Sequence, residues 1–365
     1  RNTKAGGAQG SLSPFSRGMR LGATSVVALI AGGYVAWHIL NTKLYFTTSR
    51  ARSMSGKVAV VTGGTSGVGR EACKRLVSNG VKVIIAARDM ALGATVCKEL
   101  QSLAPVGYTE PVARALYCDL SSLSSVSKFA SDFLELNMPC NILLLNAGVY
   151  PSHAQKKCTY TNDGFETTFQ TNHLSHHLLA KLLTPKLKAS APSRVVTTSS
   201  SLHSQGGGGK HITGPPPSCD SSTLAELKSR WEQFPDGNYL YRCSKLANLL
   251  FSYELNRRLE GTGVTSNALS PGFIPGTGLS RNQGGRAKFF MRWVMPNLPF
   301  KFIATLDQGA DCIQLVCLAP ELEGAGGRYF HLSKEIDSSP DSKDEVLAKK
   351  LWTLSDMLVS KYLPA

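Results

Sequence analysis

Tyr241 and Lys245 are the two side chains in this sequence whose types and spacing best suit proton transfer. They lie four residues apart in the segment Tyr241-Arg-Cys-Ser-Lys245, which places both on one face of a helix. An ordinary tyrosine has a pKa near about 10, too high for acid–base work at neutral pH. A neighbouring ammonium stabilises the phenolate and lowers that pKa. The pair therefore predicts proton exchange with an oxygen atom, although this spacing alone is more often a surface pair.

A glycine-rich turn follows the apolar run 58–61. Its three glycines have the spacing Gly-x3-Gly-x-Gly, and a helical pattern begins after them. This order predicts a buried strand, a tight turn and a helix N-terminus, which together bind the pyrophosphate of a dinucleotide. Gly63 would permit the sharp turn, Gly67 the close approach of pyrophosphate, and Gly69 the packing of helix on strand. The predicted pyrophosphate contacts are Gly63, Thr65, Ser66, Gly67 and Gly69.

The end of the next predicted strand, 81–87, indicates which dinucleotide binds. In dinucleotide-binding folds an acidic residue at this place contacts the ribose hydroxyls of NAD, whereas an arginine accommodates the 2′-phosphate of NADP. Here Arg88 follows the strand directly, and Asp89 is its neighbour. The pattern favours NADP(H) over NAD(H), with an ordinary surface Arg–Asp pair as the alternative.

The elements that must position these residues alternate along the chain. Apolar runs predict further strands at 113–119, 141–146, 194–200 and 265–269, and helical patterns lie at 91–103, 122–136, 164–187, 241–259 and 343–358. Such alternation predicts an α/β fold with a doubly wound, Rossmann-type parallel sheet. A segment rich in glycine and proline, 204–238, interrupts the alternation and is predicted to be an inserted loop.

Further residues, met in a fixed order, give the chain its resemblance to the short-chain dehydrogenase/reductase family over about 55–358. They are Asn146-Ala-Gly148, Asn172, Ser200, Tyr241, Lys245 and Pro271-Gly272. The resemblance implies that Tyr241 donates or accepts the proton and that Lys245 holds the nicotinamide ribose and tunes Tyr241. It implies that Ser200 orients a substrate carbonyl and that Asn172 anchors a water of a proton relay.

The same resemblance implies further contacts with the cofactor. Asp119 would contact the adenine, Asn146 would stabilise the central strand beside the ribose, and Thr277 would hold the nicotinamide carboxamide. The complete set of predicted cofactor residues is Gly63, Thr65, Ser66, Gly67, Gly69, Arg88, Asp119, Asn146, Ala147, Gly148, Tyr241, Lys245, Pro271, Gly272 and Thr277. The choice of Ser200 over Ser199 and Ser201 stays open at this point, because it depends only on spacing from the strand.

Within the family, the chain resembles light-dependent protochlorophyllide oxidoreductase and the retinol-dehydrogenase-like enzymes. The resemblance is carried by Asn137-Met-Pro139, Asn146-Ala-Gly-Val-Tyr150, Gly164-Phe-Glu166, Thr171-Asn-His-Leu174, Thr277-Gly-Leu279 and Leu351-Trp-x-Leu-Ser355. Ser270 and Phe273 depart from the pigment enzyme, which has tyrosine and cysteine around its Pro-Gly. We therefore expect a dark NADPH-dependent carbonyl reductase or alcohol dehydrogenase acting on an apolar substrate, with 273–303 as the substrate loop.

The N-terminal region predicts a membrane anchor. The chain carries a net charge of +15, yet its first 70 residues contain nine Lys or Arg and no Asp or Glu. Residues 1–20 form a basic arm, 21–42 carry no charge and are long enough for one transmembrane helix, 43–54 form a linker, and 55–365 form the dehydrogenase domain. A signal peptide or targeting sequence is the alternative to the helix.

The start of the given sequence at Arg1 favours a cleaved presequence and hence an organellar membrane. We expect a single-pass protein of the mitochondrial inner membrane, with a plastid membrane or the endoplasmic reticulum as alternatives. Nucleic acid is not an expected partner, because no basic, aromatic-interleaved recognition motif is present.

A structural role and a metal site are the two alternatives to a simple dehydrogenase. A structural or accessory subunit of a respiratory or photosynthetic membrane complex could retain the dehydrogenase fold, although such a role would not require the whole catalytic set. His173, His176 and His177 lie close together, but no matching carboxylates accompany them, so no metal site is predicted.

Overall fold

The first strand, β1 (Val58–Thr62), shows how the sheet is built. All five of its residues are buried. Val58 and Val60 pack into one hydrophobic core, and Ala59 and Val61 pack into a second core on the opposite face. A strand buried on both faces needs apolar side chains at every position, which explains its unbroken apolar run. The computed structural model describes residues 54–105, 110–151, 155–204, 217–275 and 303–364.

Eight strands form one sheet in the described part of the chain. The strands after β1 are β2 (Lys82–Ala87), β3 (Ala113–Tyr117), β4 (Ile142–Leu145), β5 (Ser193–Thr198), β6 (Val264–Ser270), β7 (Tyr329–His331) and β8 (Lys334–Glu335). Their spatial order is β3-β2-β1-β4-β5-β6-β7-β8. All pairs are parallel except β7 with β8. The order reverses between β1 and β4, so a crevice forms at their carboxyl ends.

Helices cover both faces of the sheet. They are α1 (Gly67–Ser78), α2 (Met90–Gln101), α3 (Leu123–Glu135), α4 (167–189), α5 (Leu224–Gln233), α6 (Gly237–Arg258), α7 (Leu306–Leu318), α8 (Pro340–Lys343) and α9 (Glu345–Val359). The apolar faces of α3, α4, α6 and α9 fill one core, and those of α1, α2 and α7 fill the other. The prediction of a Rossmann-type α/β fold is therefore confirmed.

Helix α4 changes its winding along its length. It starts with one α-helical turn, Thr167–Phe169, continues as a π-helical turn, Gln170–Leu174, and ends as a regular α-helix, Ser175–Ala189. In the π-helical turn the Ser175 amide donates to the carbonyl of Gln170, five residues earlier. Such wider turns are frequent at functional sites, and this one contains Asn172.

The structure corrects the element predictions in the second half of the chain. The inserted segment 204–238 was predicted to be a loop, but its described part contains α5. Thr223 caps this helix, while Leu227 and Trp231 bury one face of it and the Trp231 ring packs 5.2 Å from Phe169. The sequence also failed to predict α7, β7 and β8, because glycine and polar residues mask their short apolar patterns.

Several predicted segments lie outside the described residues. These are the basic arm 1–20, the transmembrane helix 21–42, most of the linker 43–54, and nearly all of the substrate loop 273–303. Within the described ranges, no helix has both the length and the apolar composition needed to cross a bilayer.

Candidate active site

The glycine turn between β1 and α1 has the geometry that a pyrophosphate requires. Gly63 and Gly67 have positive φ angles of 70° and 55°, which side chains disfavour. A Cβ atom on Gly69 would lie 2.3 Å from the Gly63 carbonyl oxygen, so only glycine fits there. Within the described part of the chain, Ser66 makes no side-chain hydrogen bond to the first turn of α1, and that turn holds no acidic residue. The helix N-terminus thus presents its amides to the crevice, as an anion needs.

Thr62, the last residue of β1, ties this turn to the turn that follows β4. Its Oγ1 accepts the amides of Asn146 at 2.9 Å and Ala147 at 3.1 Å. The side-chain amide of Asn146 donates to the Thr62 carbonyl at 3.2 Å. The two predicted cofactor turns are therefore held against each other at the point where the sheet reverses its strand order.

Arg88 and Asp89 have different surroundings although they are neighbours. Both lie at the exposed carboxyl end of β2. The Asp89 carboxylate accepts the Leu92 amide at 2.9 Å and caps α2. That bond holds the carboxylate at the helix start, whereas Arg88, the residue before it, is exposed. The structure thus gives Asp89 a role that is independent of any ribose.

The remaining predicted cofactor residues lie at the same edge of the sheet. Asp119 follows β3, and its Oδ1 accepts the amide and the hydroxyl of Ser121 at 2.9 and 2.8 Å. Pro271 and Gly272 follow β6, and Gly272 has a φ of +82°. Thr277 lies outside the described residues. Together, the described glycines, the uncapped helix start and the paired turns fit a bound dinucleotide.

Tyr241 and Lys245 lie in the first half of α6, a helix that Asp236 caps through the Tyr239 amide. Both side chains are almost fully buried, with 5 % and 2 % exposure. The Ser200 side chain lies next to the Tyr241 phenol and favours its ionised form, and Ser200 Oγ also accepts the Leu202 amide at 3.2 Å. Its neighbour Ser199 instead donates to the carbonyl of Lys245 at 2.7 Å. Of the two serines, Ser200 is thus the one whose hydroxyl meets the phenol.

The electrostatics of this pair differ from the sequence-based expectation that Lys245 lowers the pKa of Tyr241. Burial raises the pKa of Tyr241, and the adjacent Ser200 side chain opposes this effect. Lys245 Nζ donates to the Thr198 carbonyl at 3.1 Å and lies over the Tyr241 ring, 5.4 Å from its centre. Burial lowers the pKa of Lys245 itself to about 8.

Asn172 connects three segments of the site. Its Oδ1 accepts the Val149 amide at 2.8 Å, and its Nδ2 donates to the Val149 carbonyl at 3.0 Å and to Ser244 Oγ at 2.9 Å. Gly148 lies between these groups: a Cβ there would stand 3.3 Å from Asn172 Oδ1 and 3.5 Å from Lys245 Nζ. The structure thus brings Asn172, Lys245 and the turn after β4 together around Gly148, which has no side chain.

Sequence analysis missed two residues of this site. The Tyr150 ring packs 4.6 Å from the Tyr241 ring, at an angle of 56°, and its hydroxyl donates to Asn238 at 3.2 Å. His176 contacts both Thr62 and Asn172. The signal for His176 was its position one helical turn after Asn172, whereas nothing in the sequence indicated that Tyr150 would contact Tyr241.

The other two histidines of α4 point away from the crevice. His173 Nε2 contacts Ser355 Oγ at 3.0 Å, and His177 Nε2 contacts Asp356 at 2.7 Å. Both partners belong to α9. Throughout the described ranges, no group of three or more His, Cys, Asp or Glu is arranged to hold a metal ion.

Comparisons with known proteins agree with this geometry. A family model described as short chain dehydrogenase matches residues 57–211. Retinol dehydrogenase 14 of Mus musculus is 37% identical over 316 residues, which cover 84% of this chain and 86% of that protein. The WW domain-containing oxidoreductase of Gallus gallus is 36% identical over 86% of this chain and 70% of its own length.

A solved structure gives the same picture of the fold. An uncharacterised protein from Mycobacterium paratuberculosis superposes with a TM-score of 0.60 and 26% identity, over 88% of this chain and 99% of that one. The similarity therefore extends well beyond the glycine turn and covers most of the chain.

Proposed function

The chain belongs to the short-chain dehydrogenase family, and on this premise we propose that it is an NADP(H)-dependent oxidoreductase that interconverts a carbonyl and an alcohol on an apolar, retinoid-like substrate. The observation that carries the proposal is the burial of Tyr241 and Lys245 side by side, with Lys245 Nζ 5.4 Å from the centre of the Tyr241 ring and Ser200 next to the phenol. These three groups lie at the edge of the sheet where the glycine turn would hold a dinucleotide.

Each side chain has a role that follows from its contacts. A bound nicotinamide would supply or accept the hydride. In the reductive direction Tyr241 donates its hydroxyl proton to the substrate oxygen, and Ser200 donates a hydrogen bond to the same oxygen. With a pKa of about 8, Lys245 is mainly charged at neutral pH, and its ammonium would hold the nicotinamide ribose beside Tyr241. The burial of Tyr241 excludes water that would compete for the proton.

The preference for NADP(H) rests on the division of roles at the end of β2. A carboxylate near the ribose would repel a 2′-phosphate, but Asp89 accepts the Leu92 amide as a helix cap. Arg88 is exposed at this position, where its guanidinium can bind a phosphate with two parallel hydrogen bonds.

The substrate class rests on the apolar surroundings of Tyr241 and on the relatives. Tyr150 forms an aromatic wall against Tyr241. Phe273, 44% exposed, follows the Pro-Gly turn, and its carbonyl accepts the Ala304 amide at 2.8 Å, which joins the two ends of the predicted substrate loop. The name of retinol dehydrogenase 14 suggests a retinoid as the compound to try first.

Membrane anchoring through 21–42, and a place in an organellar membrane, are parts of the same proposal. An apolar substrate partitions into lipid, so an anchored enzyme would meet it at high local concentration. Alkaline carbonate extraction of the full chain tests the anchor: an anchored protein stays with the membrane pellet. Migration as part of a large assembly after mild detergent extraction would instead support an accessory subunit, a role for which the buried Tyr241–Lys245 pair is unnecessary.

The decisive experiment mixes the purified full chain with all-trans-retinal and either NADPH or NADH, and follows nucleotide oxidation. We expect turnover with NADPH and a loss of about 1,000-fold or more in kcat for Tyr241→Phe, because the proton donor is removed. The variant should still bind NADPH. A Tyr241→Phe enzyme as active as the original protein would contradict the proposal.

A further inference from the structure

His176 lies between the nucleotide turn and the catalytic helix, and its position has no part in the mechanism given above. The ring is buried, with 1% exposure, and both ring nitrogens have partners. Nε2 lies 2.9 Å from Thr62 Oγ1, and Nδ1 lies 3.0 Å from the main-chain oxygen of Asn172. Both partners are also buried. One side chain thus joins the strand that ends at the glycine turn to the π-helical turn of α4.

The chemistry of the partners determines where the imidazole hydrogen lies. The Asn172 carbonyl can only accept, so Nδ1 must carry the hydrogen. Burial lowers the pKa of His176 to about 3, and the positive charge of Lys245 acts in the same direction, while the bond to Asn172 opposes it. The ring is therefore neutral, and Nε2 accepts the hydrogen of the Thr62 hydroxyl.

The hydrogen bonds of Thr62 agree with this assignment. Its Oγ1 already accepts the amides of Asn146 and Ala147, so its own hydrogen is left to donate. The alternative acceptor, the Leu144 carbonyl, is at 3.4 Å, farther than His176 Nε2 at 2.9 Å. A directed chain of bonds thus leads from the turn after β4 through Thr62 and His176 to Asn172.

Asn172 transmits this connection to the reacting groups. Its side chain bonds to Val149 and to Ser244, and Ser244 Oγ donates to the carbonyl of Tyr241 at 2.7 Å. The wider π-helical turn has fewer constraints from regular helical bonding, so a side chain that holds its carbonyl limits where Asn172 can lie. A shift here would move the groups around Tyr241.

We propose that His176 is a positioning residue: its Nδ1–H holds the Asn172 carbonyl and so sets the π-helical turn of α4 against the catalytic helix, while Nε2 orients the ring by accepting the Thr62 hydroxyl. The inference rests on the proposed function, because its consequence is a faster proton transfer. It adds a residue that touches neither substrate nor cofactor.

Three substitutions separate the two bonds. An asparagine amide nitrogen occupies nearly the place of Nδ1, a glutamine amide that of Nε2, and phenylalanine retains only the ring. We expect His176→Asn to keep the single-turnover rate of NADPH oxidation with all-trans-retinal within about threefold of the original, whereas His176→Gln and His176→Phe lose about 10- to 100-fold. NADPH binding should change by less than about threefold in all of them.

His173→Phe is the matched control. His173 lies in the same helix and is equally buried, at 1% exposure, but it contacts Ser355 in α9. We expect this variant to react at the original rate, which would show that a buried histidine of α4 is not required merely for folding. Equal loss in His176→Asn and His176→Phe, or full activity in all three His176 variants, would overturn the proposal.

A second readout does not depend on turnover. In the full chain with 15N-labelled histidine, the NMR signals lost in His176→Asn identify its ring, and we expect the Nδ1–H form between about pH 6 and about pH 8. An Nε2–H form would overturn the assignment. If the full chain binds NADPH but does not reduce retinal, the proposed substrate is wrong, while this spectrum still decides the role of His176.

Discussion

At the scale of single residues, side chains that are adjacent in the sequence make different contacts. Asp89 caps a helix while Arg88 is exposed. Ser199 bonds to the backbone of α6, while Ser200 meets Tyr241. In each pair one side chain is bound within the fold, and its neighbour is exposed at the end of β2 in the case of Arg88 or next to Tyr241 in the case of Ser200, whose Oγ also accepts the Leu202 amide. This division supports the choice of Arg88 and Ser200 as functional residues.

The role of Arg88 leads to a prediction on nucleotide choice. Arg88→Ala should weaken NADPH binding by about 10- to 100-fold, because hydrogen bonds to a charged group contribute about 1.5–3 kcal/mol. NADH binding should be unchanged. Fluorescence titration with both nucleotides measures this, with Asp89→Ser, which keeps a helix-capping oxygen, as the control. Equal loss for both nucleotides would contradict the assignment.

Tyr150 supplies a second prediction at this scale. Tyr150→Ala removes the ring that packs against Tyr241 and should lower kcat about 2- to 10-fold, since such aromatic contacts are worth about 0.5–1.5 kcal/mol. Tyr150→Phe keeps the ring and should stay near the original value. Steady-state kinetics with all-trans-retinal compares the two variants, and an identical loss in both would point to the hydroxyl instead.

At the scale of elements, α4 faces the site on one side and the C-terminal helix on the other. His176 points to β1, whereas His173 and His177 point to α9. On the α9 side, the Phe251 and Trp352 rings stack 5.8 Å apart. Helix α9 therefore covers the outer faces of α4 and α6 and holds them in place, although it lies far along the chain from the catalytic residues.

The buried histidines of α4 predict a loss of stability in acid. Burial places the pKa of His173 well below 6.5, so the unfolded chain binds a proton that the folded chain excludes. The free energy of unfolding should then decrease as pH falls below about 6.5, by up to about 1.4 kcal/mol per pH unit for each such histidine.

His173→Phe should remove one histidine's share of this slope. Urea unfolding of the original protein and the variant at about pH 7 and about pH 5 measures the difference. The variant also removes the buried bond from His173 to Ser355, so it should lose about 1–3 kcal/mol at both pH values, and only the change in slope reports the titration of His173. An unchanged slope would mean that His173 takes up a proton without unfolding.

At the scale of the whole molecule, the site exists only because the sheet reverses its order between β1 and β4. Thr62 and His176, which are 114 residues apart in sequence, come into contact there. Residues from the ends of β1, β2, β4, β5 and β6 thus reach the same crevice. A ligand held in it would join both halves of the sheet, and its binding should stabilise the fold as a unit.

This coupling can be measured through stability. NADPH at about 100 times its Kd should raise the free energy of unfolding by about 2.7 kcal/mol. Gly69→Ala should abolish the effect, because its Cβ would lie 2.3 Å from the Gly63 carbonyl and would displace the turn. Thermal unfolding with and without NADPH measures both; the control is Gly164→Ala, at a glycine with a φ of +84° and no heavy atom near an added Cβ, which should be less stable but keep the full stabilisation by NADPH. Stabilisation of Gly69→Ala equal to that of the original protein would contradict the assigned cradle.

The sequence alone determined the fold class, because apolar runs and the glycine spacing are local patterns with few structural interpretations, and it predicted the site residues from the same patterns and the Tyr–Lys interval. It also indicated the membrane anchor and the organelle, which stay predictions, as do the individual roles of the site residues. Local pattern was insufficient for α5, since its burial depends on Phe169, a residue more than fifty positions away.

Only the tertiary structure decided which serine lies next to Tyr241, which group binds the Asp89 carboxylate, and which residues His176 contacts. These facts depend on side-chain directions at the crevice, where strands distant in sequence meet. Burial, which raises the pKa of Tyr241 and lowers that of Lys245, is likewise a property of the packed fold. The sequence could predict Tyr241 and Lys245 as the catalytic pair, but the dielectric surroundings of the two side chains arise only when the two halves of the sheet come together.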